Sequence, residues 1–238
     1  MIARFASVAT ALGLGVALCA GLYWMFLNTP ESNALMLTAS ALMALAFAGA
    51  AALAVNAAVL LARGATFRAA LGGAARGLFW FVVAITPLAL AWWAIGWMDG
   101  WVERHSGEIN AWFIAQFGWA DISGVLATQV WLSRWLRWAV FPVLSLSLLA
   151  TLLSGQDRAS ATAWLRRAWH WRTIAVPTLV FVLLFALPWQ LTGWRPQLPA
   201  TWIEPTAAAG RLGLALLLAL AGAAIMIIAS AKDRVAND

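Results

Sequence analysis

The sequence predicts an all-α fold, a polytopic membrane helix bundle of about six transmembrane helices with short interfacial helices. Apolar residues make up 64% of the chain and charged residues only 10%, against about 45–50% and about 25% in an ordinary soluble domain. Apolar runs of about 20 residues, the length that crosses about 30 Å of hydrocarbon, recur along the chain. Because little sequence separates these runs, residues 1–238 are expected to form a single integral membrane domain.

Six spans are expected, at about residues 5–27, 34–62, 77–98, 136–153, 173–191 and 209–230. The first run has features of a signal peptide, since Arg4 precedes a hydrophobic stretch that reaches Cys19. It continues to Leu27, which is long enough to span, so a retained helix is expected. Leu18 also departs from the small residue that precedes the cysteine of a lipoprotein cleavage box.

The first two spans carry small residues at four-residue spacing. These residues are Gly13, Ala17 and Gly21 in the first span and Ala44, Ala48 and Ala52 in the second. Small side chains let two helix backbones approach closely in lipid, where dispersion then holds them together. We therefore expect the two helices to be interior or paired, with packing inside one chain favoured over dimerisation.

Basic residues near the span ends decide the orientation, because cytoplasmic loops carry the excess of Lys and Arg. With the N-terminus inside, the 15 basic residues divide into a larger inner group (Arg4, Arg63, Arg68, Arg76, Arg158, Arg166, Arg167, Arg172, Lys232, Arg234) and a smaller outer group (Arg104, Arg134, Arg137, Arg195, Arg211). Both termini are therefore expected in the cytoplasm. Frequent alanine and arginine, with a single lysine, indicate a bacterium with a GC-rich genome and so the bacterial inner membrane.

The segment from Asp99 to Trp135 is the longest predicted loop, and it carries several acidic residues and His105. A metal site is not expected, because His105 has no second histidine nearby and no metal-ligand spacing is recognisable. The apolar run from Ile109 to Phe117 is too short to span and predicts an interfacial or re-entrant helix. A tryptophan belt at the outer headgroup level is predicted from Trp24, Trp92, Trp93, Trp97, Trp101, Trp189 and Trp194.

Arg134 and Arg137 oppose the positive-inside trend and are the main candidate functional residues. A helix from Asp121 to Leu153 would be about 50 Å long, so both arginines are expected at the outer headgroup level, with a kink allowed at Pro142. One interpretation is that they reach lipid phosphate or pair with Asp99, Glu103 or Asp121. The other is a site for an anionic ligand or a partner protein.

Two further sets of residues are candidates for binding. Arg166, Arg167 and Arg172 alternate with tryptophans in a basic stretch that fits the anionic cytoplasmic leaflet. Asn56 is the only strongly polar residue deep in a predicted span, where an interhelical hydrogen bond is expected ahead of a substrate contact.

The chain carries no Walker loop, dinucleotide fingerprint, nucleophile elbow or HExxH motif. We therefore expect a non-catalytic membrane protein without a cofactor, in an accessory, assembly or scaffold role. Its expected partners are the bilayer, anionic lipids and a membrane protein or a second copy, and not nucleic acid, because the basic residues are dispersed. A small transporter or lipid-handling protein that uses Arg134 and Arg137 is the alternative. An enzyme that uses His105 and the acidic loop is the third interpretation.

Overall fold

The computed structural model describes residues 2–30, 33–118, 122–153, 171–193 and 203–231. It is almost entirely helical, at 94%. The helices are α1 (Ile2–Leu27), α2 (Ala34–Ala62), α3 (Phe67–Arg76), α4 (Leu78–Arg104), α5 (Ser106–Phe117), α6 (Ser123–Trp135), α7 (Phe141–Leu153), α8 (Trp171–Phe181), α9 (Leu187–Gly193) and α10 (Ile203–Ala231). A first π turn (Leu136–Val140) joins α6 to α7, and a second π turn (Val182–Ala186) joins α8 to α9.

Five helices in the described part of the chain are long and apolar enough to cross a membrane, namely Ile2–Leu27, Ala34–Ala62, Leu78–Arg104, Ser123–Leu153 and Ala207–Ala231. This confirms an all-α chain with several helices of membrane-spanning length. The predicted fifth span, 173–191, falls on the continuous helical stretch Trp171–Gly193. Its apolar part, Thr178–Gly193, is shorter than the five helices long enough to span. The count of six spans therefore stays a prediction.

Local sequence explains where α2 and α3 begin. The side chain of Asn33 accepts a hydrogen bond from Met36 N at 3.0 Å, and Thr66 does the same for Ala69 N at 3.4 Å. Each cap satisfies a backbone donor that a helix start leaves without a partner. Gly64, at φ 96°, makes the turn between the two helices. The helix α3 lies between the second and third predicted spans, in a region where no helix was predicted.

Both π turns lie two residues before a proline, Pro142 in α7 and Pro188 in α9. A proline lacks the N–H that would bond the carbonyl four residues earlier, and its ring clashes with that carbonyl. For these two prolines the carbonyl belongs to Trp138 and Leu184, which lie at the centres of the π turns. Widening the helix at that point relieves the clash. The predicted fourth span, 136–153, lies within the helical stretch Ser123–Leu153, which agrees with the long helix expected from Asp121 to Leu153.

The buried core is concentrated at one end of the bundle. It joins the first half of α1, the second half of α2 and the ends of α7 and α10 through Val8, Val59, Leu149 and Ile227. We call this the Asn56 end, because the fully buried Asn56 belongs to it. The opposite end, which we call the Asp99 end, holds the last turns of α4 together with α5. No residue of α5 is buried. Among the described residues, burial is therefore concentrated at the Asn56 end.

The pairing of α1 with α2 uses different small residues from those predicted. A Cβ on Gly15 would overlap the Cβ of Ala54, so the two backbones approach most closely there. Nothing lies within 4 Å of a Cβ built on Gly13 or Gly21. The two helices are paired, as expected, but the stripe from Gly13 to Gly21 does not make the contact. The stripe faces away because the direction of a face is set by how each helix is rotated about its axis.

Candidate functional site

Helix geometry brings Asp99 near Arg137. At the Asn56 end, Gly77 before α4 lies directly against Leu153 at the end of α7. At about 1.5 Å per residue, Asp99 is about 33 Å from Gly77 and Arg137 is about 24 Å from Leu153, along two antiparallel helices. Helical side chains lean toward the N-terminus of their own helix, which for Arg137 is the Asp99 end. The long arginine side chain therefore reaches toward the carboxylate.

The carboxylate of Asp99 accepts hydrogen bonds from three side chains, and we call these four residues the brace. Nη2 of Arg137 lies 2.8 Å from Oδ2, with the arginine side chain 20% and the aspartate side chain 30% exposed. Oδ1 accepts from Gln129 Nε2 at 2.5 Å and from Ser133 Oγ at 2.7 Å. The three donors lie four residues apart on one face of α6 and the first π turn. The brace therefore ties α4 to the neighbouring helix and neutralises both charges.

Arg137 is closely surrounded. A Cβ on Gly96, one turn before Asp99, would lie 3.4 Å from Nη2 of Arg137, so this glycine lies directly against the guanidinium. Nε of Arg137 is buried and has no hydrogen-bond partner in the described part of the chain. Arg137 is thus held in place by one carboxylate and by packing.

Arg134, one turn earlier, has a different environment. Its guanidinium carbon lies 5.5 Å from the centre of the Trp131 ring and 5.7 Å from that of Phe185. Both rings also contact Phe181, at 6.1 and 5.3 Å between centres, and we call the three rings the aromatic slot. Cation–π attraction holds a guanidinium in such a position. Within the described residues Arg134 makes no hydrogen bond or ion pair.

Aromatic contacts also connect the two π turns. Trp138, from the first, stacks on Phe185, from the second, with ring centres 5.7 Å apart. Trp92 of α4 meets Trp138 edge to face at 4.8 Å, and Nε1 of Trp135 donates to Thr178 Oγ1 at 3.2 Å. The widened turns thus lie side by side, next to the brace and the aromatic slot.

His105 is placed by its own helix. Nδ1 lies 2.9 Å from the carbonyl oxygen of Trp101, and the imidazole stacks on the Trp101 ring at 4.6 Å between centres. Across the described ranges, no three His, Cys, Asp or Glu side chains come together in a way that could hold a metal ion. Asp121, named above as a partner for the arginines, lies outside the described residues.

Asn56 contacts a neighbouring helix. It is fully buried, and its Nδ2 donates to the carbonyl oxygen of Ala74 at the end of α3, at 3.1 Å. Its Oδ1 has no partner among the described residues. A Cβ on Gly77 would lie 3.2 Å from Nδ2, so the glycine leaves room for the amide. The side chain therefore links α2 to α3.

The remaining arginine candidates belong to the basic stretch before α8. Arg166 and Arg167 lie outside the described residues, and Arg172 lies in the first turn of α8, with its side chain outside them. Another arginine, Arg63, donates from Nη1 to the carbonyl oxygen of Ala150 in α7, at 2.5 Å. Sequence analysis missed Arg63 as an interhelical contact because a basic residue at a span end already fits the orientation rule.

Gln129 and Ser133, which donate to Asp99, were not among the predicted site residues. Their spacing with Arg137 is visible in the sequence, since residues four apart share a helix face. A row of hydrogen-bond donors in an otherwise apolar helix could therefore have predicted a carboxylate acceptor opposite it. The acceptor itself could not be chosen, because several acidic residues lie near the same predicted level.

The site thus combines an ion-paired carboxylate with an arginine held by aromatic rings. Charged residues inside membrane bundles commonly pair with one another and cation–π contacts occur in proteins of many folds, so neither contact identifies a family. Comparison of the chain with known protein families, with curated proteins and with solved structures gives no match.

Proposed function

We propose that this chain is a non-catalytic membrane protein that acts as an accessory, assembly or scaffold component by binding a membrane-protein partner. The observation that carries the proposal is the exposure of α4. In the whole of this helix only Ala84 and Ile95 are buried, and one face carries exposed tryptophans. Trp93, Trp97 and Trp101 follow one another along this helix, with side chains 71%, 60% and 42% exposed. Their spacing puts them on one face, which we call the tryptophan row.

The brace supports this proposal because it fixes the helix that carries the tryptophan row. Asp99 lies between Trp97 and Trp101, and its three hydrogen bonds hold that part of α4 against α6. Large aromatic side chains on a rigid helix lose little conformational entropy on binding, so they are favoured at protein interfaces. A fixed row of indoles suits a partner helix as well as it suits the headgroup level.

The proposal includes a location and an orientation. We place six spans in the bacterial inner membrane with both termini in the cytoplasm, counting the 171–193 stretch, about 35 Å long at 1.5 Å per residue, as a span. Arg63 at the Asn56 end and Asp99 at the other support the orientation, which puts more basic charge inside. In this orientation Arg166, Arg167 and Arg172 face anionic lipid of the cytoplasmic leaflet.

Gentle purification from the native membrane, followed by mass spectrometry of all proteins present, tests the proposed role. We expect a partner in fixed ratio to the wild-type chain. The double variant Trp93→Ala/Trp97→Ala is expected to lose that partner while keeping its own thermal stability. Trp24→Ala is the matched control, because Trp24 on α1 is similarly exposed, at 69%, and lies on another helix.

Two results would contradict the accessory role. One is a wild-type chain that purifies without any stoichiometric protein. The other is solute flux through the purified monomer in liposomes, which would make it a transporter.

A second candidate function, a small transporter or a lipid-handling protein, is favoured by the paired π turns beside Arg134 and Arg137. Such turns widen a helix and are frequent at functional sites. Solute flux or lipid transfer that is abolished in Arg134→Gln/Arg137→Gln would favour this function. Normal activity of that double variant would remove its basis in these residues.

A further inference from the structure

The two neighbouring arginines differ in whether their charge is already balanced. Arg137 and Asp99 neutralise each other at 2.8 Å. The guanidinium of Arg134 lies beside two aromatic rings and forms no ion pair with a described residue. A partly buried cation in a medium of low dielectric constant favours the binding of an anion.

The height of Arg134 in the bundle suits a phospholipid headgroup. Arg134 lies about 28 Å along its helix from Leu153, at about 1.5 Å per residue. The hydrocarbon layer is about 30 Å thick. If Leu153 lies at one surface of this layer, Arg134 lies close to the headgroups at the opposite surface. Trp131, half exposed at 48%, lies at the same level and matches the preference of indoles for that layer.

The N–H groups of Arg134 are available for a ligand. The guanidinium carbon lies 5.5 Å from the Trp131 ring centre and 5.7 Å from that of Phe185, and none of its N–H groups donates to another described residue. Five donors in one plane match two oxygens of a phosphate group, which a guanidinium can bind in a bidentate manner. The rings reduce the freedom that the side chain would lose on binding.

We propose that Arg134, held by Trp131 and Phe185, binds the phosphate group of a phospholipid headgroup at the Asp99 end of the bundle. The site belongs to Arg134 and not to Arg137, because Arg137 already has a carboxylate as its counterion. The site is compatible with either function proposed above, since a bound lipid stabilises a scaffold and can equally be a substrate.

The test uses the full-length chain in nanodiscs that contain phosphatidylglycerol and phosphatidylcholine. Native mass spectrometry then counts the phospholipids that stay bound after release into detergent. Wild type is expected to retain one phospholipid, and Arg134→Gln is expected to retain it about tenfold less, as for loss of a charge-assisted hydrogen bond. Trp131→Leu keeps the charge of Arg134 but lacks one cation–π contact, so it is expected to retain about threefold less phospholipid than wild type.

Arg104→Gln is the matched control for general attraction to an anionic bilayer. Arg104 is an exposed arginine in the last turn of α4, at the same end of the bundle. It is expected to retain the lipid as wild type does. The proposal is overturned if wild type and Arg134→Gln retain the phospholipid equally, provided that thermal unfolding shows both proteins to be folded. A loss in Arg104→Gln as large as in Arg134→Gln overturns it too.

A second arm separates a lipid from a free anion. Inorganic phosphate is titrated into lipid-depleted protein while thermal unfolding is followed. Stabilisation of wild type by millimolar phosphate that is absent in Arg134→Gln, without retained phospholipid, assigns the same site to a soluble phosphate. Retained phospholipid with no response to phosphate assigns it to the headgroup of a lipid.

Discussion

Nη2 of Arg137 lies 2.8 Å from Oδ2 of Asp99, which joins two helices through residues 38 positions apart in sequence. The pair lies at the end of the bundle where few residues are buried. Arg137 balances the charge of the carboxylate, and Gln129 and Ser133 donate hydrogen bonds to its second oxygen. Near the Asp99 end, these polar contacts add to the aromatic packing in joining α4 to the next helix.

Asp99→Ala is expected to lower the free energy of unfolding by about 1–3 kcal/mol, because it leaves the Arg137 guanidinium without a counterion. The expected loss is smaller than the roughly 3–5 kcal/mol for a fully buried pair, since both side chains are partly exposed. Unfolding in mild detergent measures the effect.

Glu103→Ala is the control for Asp99→Ala. Glu103 lies one turn further along α4, is exposed, and is expected to change stability by less than about 0.5 kcal/mol when replaced. The double variant Asp99→Ala/Arg137→Ala isolates the pair. Strictly additive losses in that cycle would show that the two residues do not stabilise each other.

Gly15→Ala is expected to destabilise the protein by about 1–3 kcal/mol, because the added methyl group would overlap Ala54 and push α1 away from α2. Gly13→Ala, two residues earlier, meets open space and is expected to be neutral or stabilising by less than about 1 kcal/mol, from helix propensity. Thermal unfolding of both variants compares them directly. Equal effects would mean that α1 and α2 do not meet at Gly15.

Asn56→Ala is expected to cost about 1–3 kcal/mol, because it removes the hydrogen bond to Ala74 inside the most tightly packed region. Ser40→Ala on the same helix is the comparison, since Ser40 is also buried, at 4% exposure, but its hydroxyl has no partner among the described residues. Removing that hydroxyl is expected to leave stability unchanged or slightly raised. A larger loss in Ser40→Ala than in Asn56→Ala would contradict this assignment.

The number of spans is tested by topology reporters. With six spans, green fluorescent protein fused after Asp238 is expected to fluoresce in the cytoplasm. Alkaline phosphatase fused after Phe117 is expected to be active outside. If green fluorescent protein after Asp238 stays dark and alkaline phosphatase fused at the same position is active outside, the 171–193 stretch does not cross the membrane.

Much of the fold could be predicted from composition and local sequence. The predicted span 34–62 coincides with α2 from Ala34 to Ala62, because an apolar run of that length can satisfy its backbone in lipid only as a helix. Asn33, a favoured N-cap residue, marks where it begins. The predicted fourth span, 136–153, lies within the continuous helical stretch Ser123–Leu153, in keeping with the long helix expected from Asp121, and the part of it that crosses the membrane stays a prediction.

The candidate site could be predicted only in part. Arg134 and Arg137 were identified because they lie against the orientation trend, and Asp99 was one of three carboxylates named as partners. The spacing of Gln129, Ser133 and Arg137 indicates a face of donors that includes Arg137 and not Arg134, but which carboxylate that face meets could not be read from the sequence. Phe181 and Phe185 come from α8 and the second π turn, and no local pattern indicates which helix they face.

The sequence by itself determined the helical class, the apolar lengths and the caps, because each of these follows from residues within a few turns of one another. The tertiary structure alone decided which faces meet. Each residue turns a helix by about 100°, and a π turn shifts every following face, so Arg137 rather than Arg134 points at Asp99 only once the rotation of both helices is fixed. That rotation is set by packing between residues far apart in the chain, such as Gly77 against Leu153.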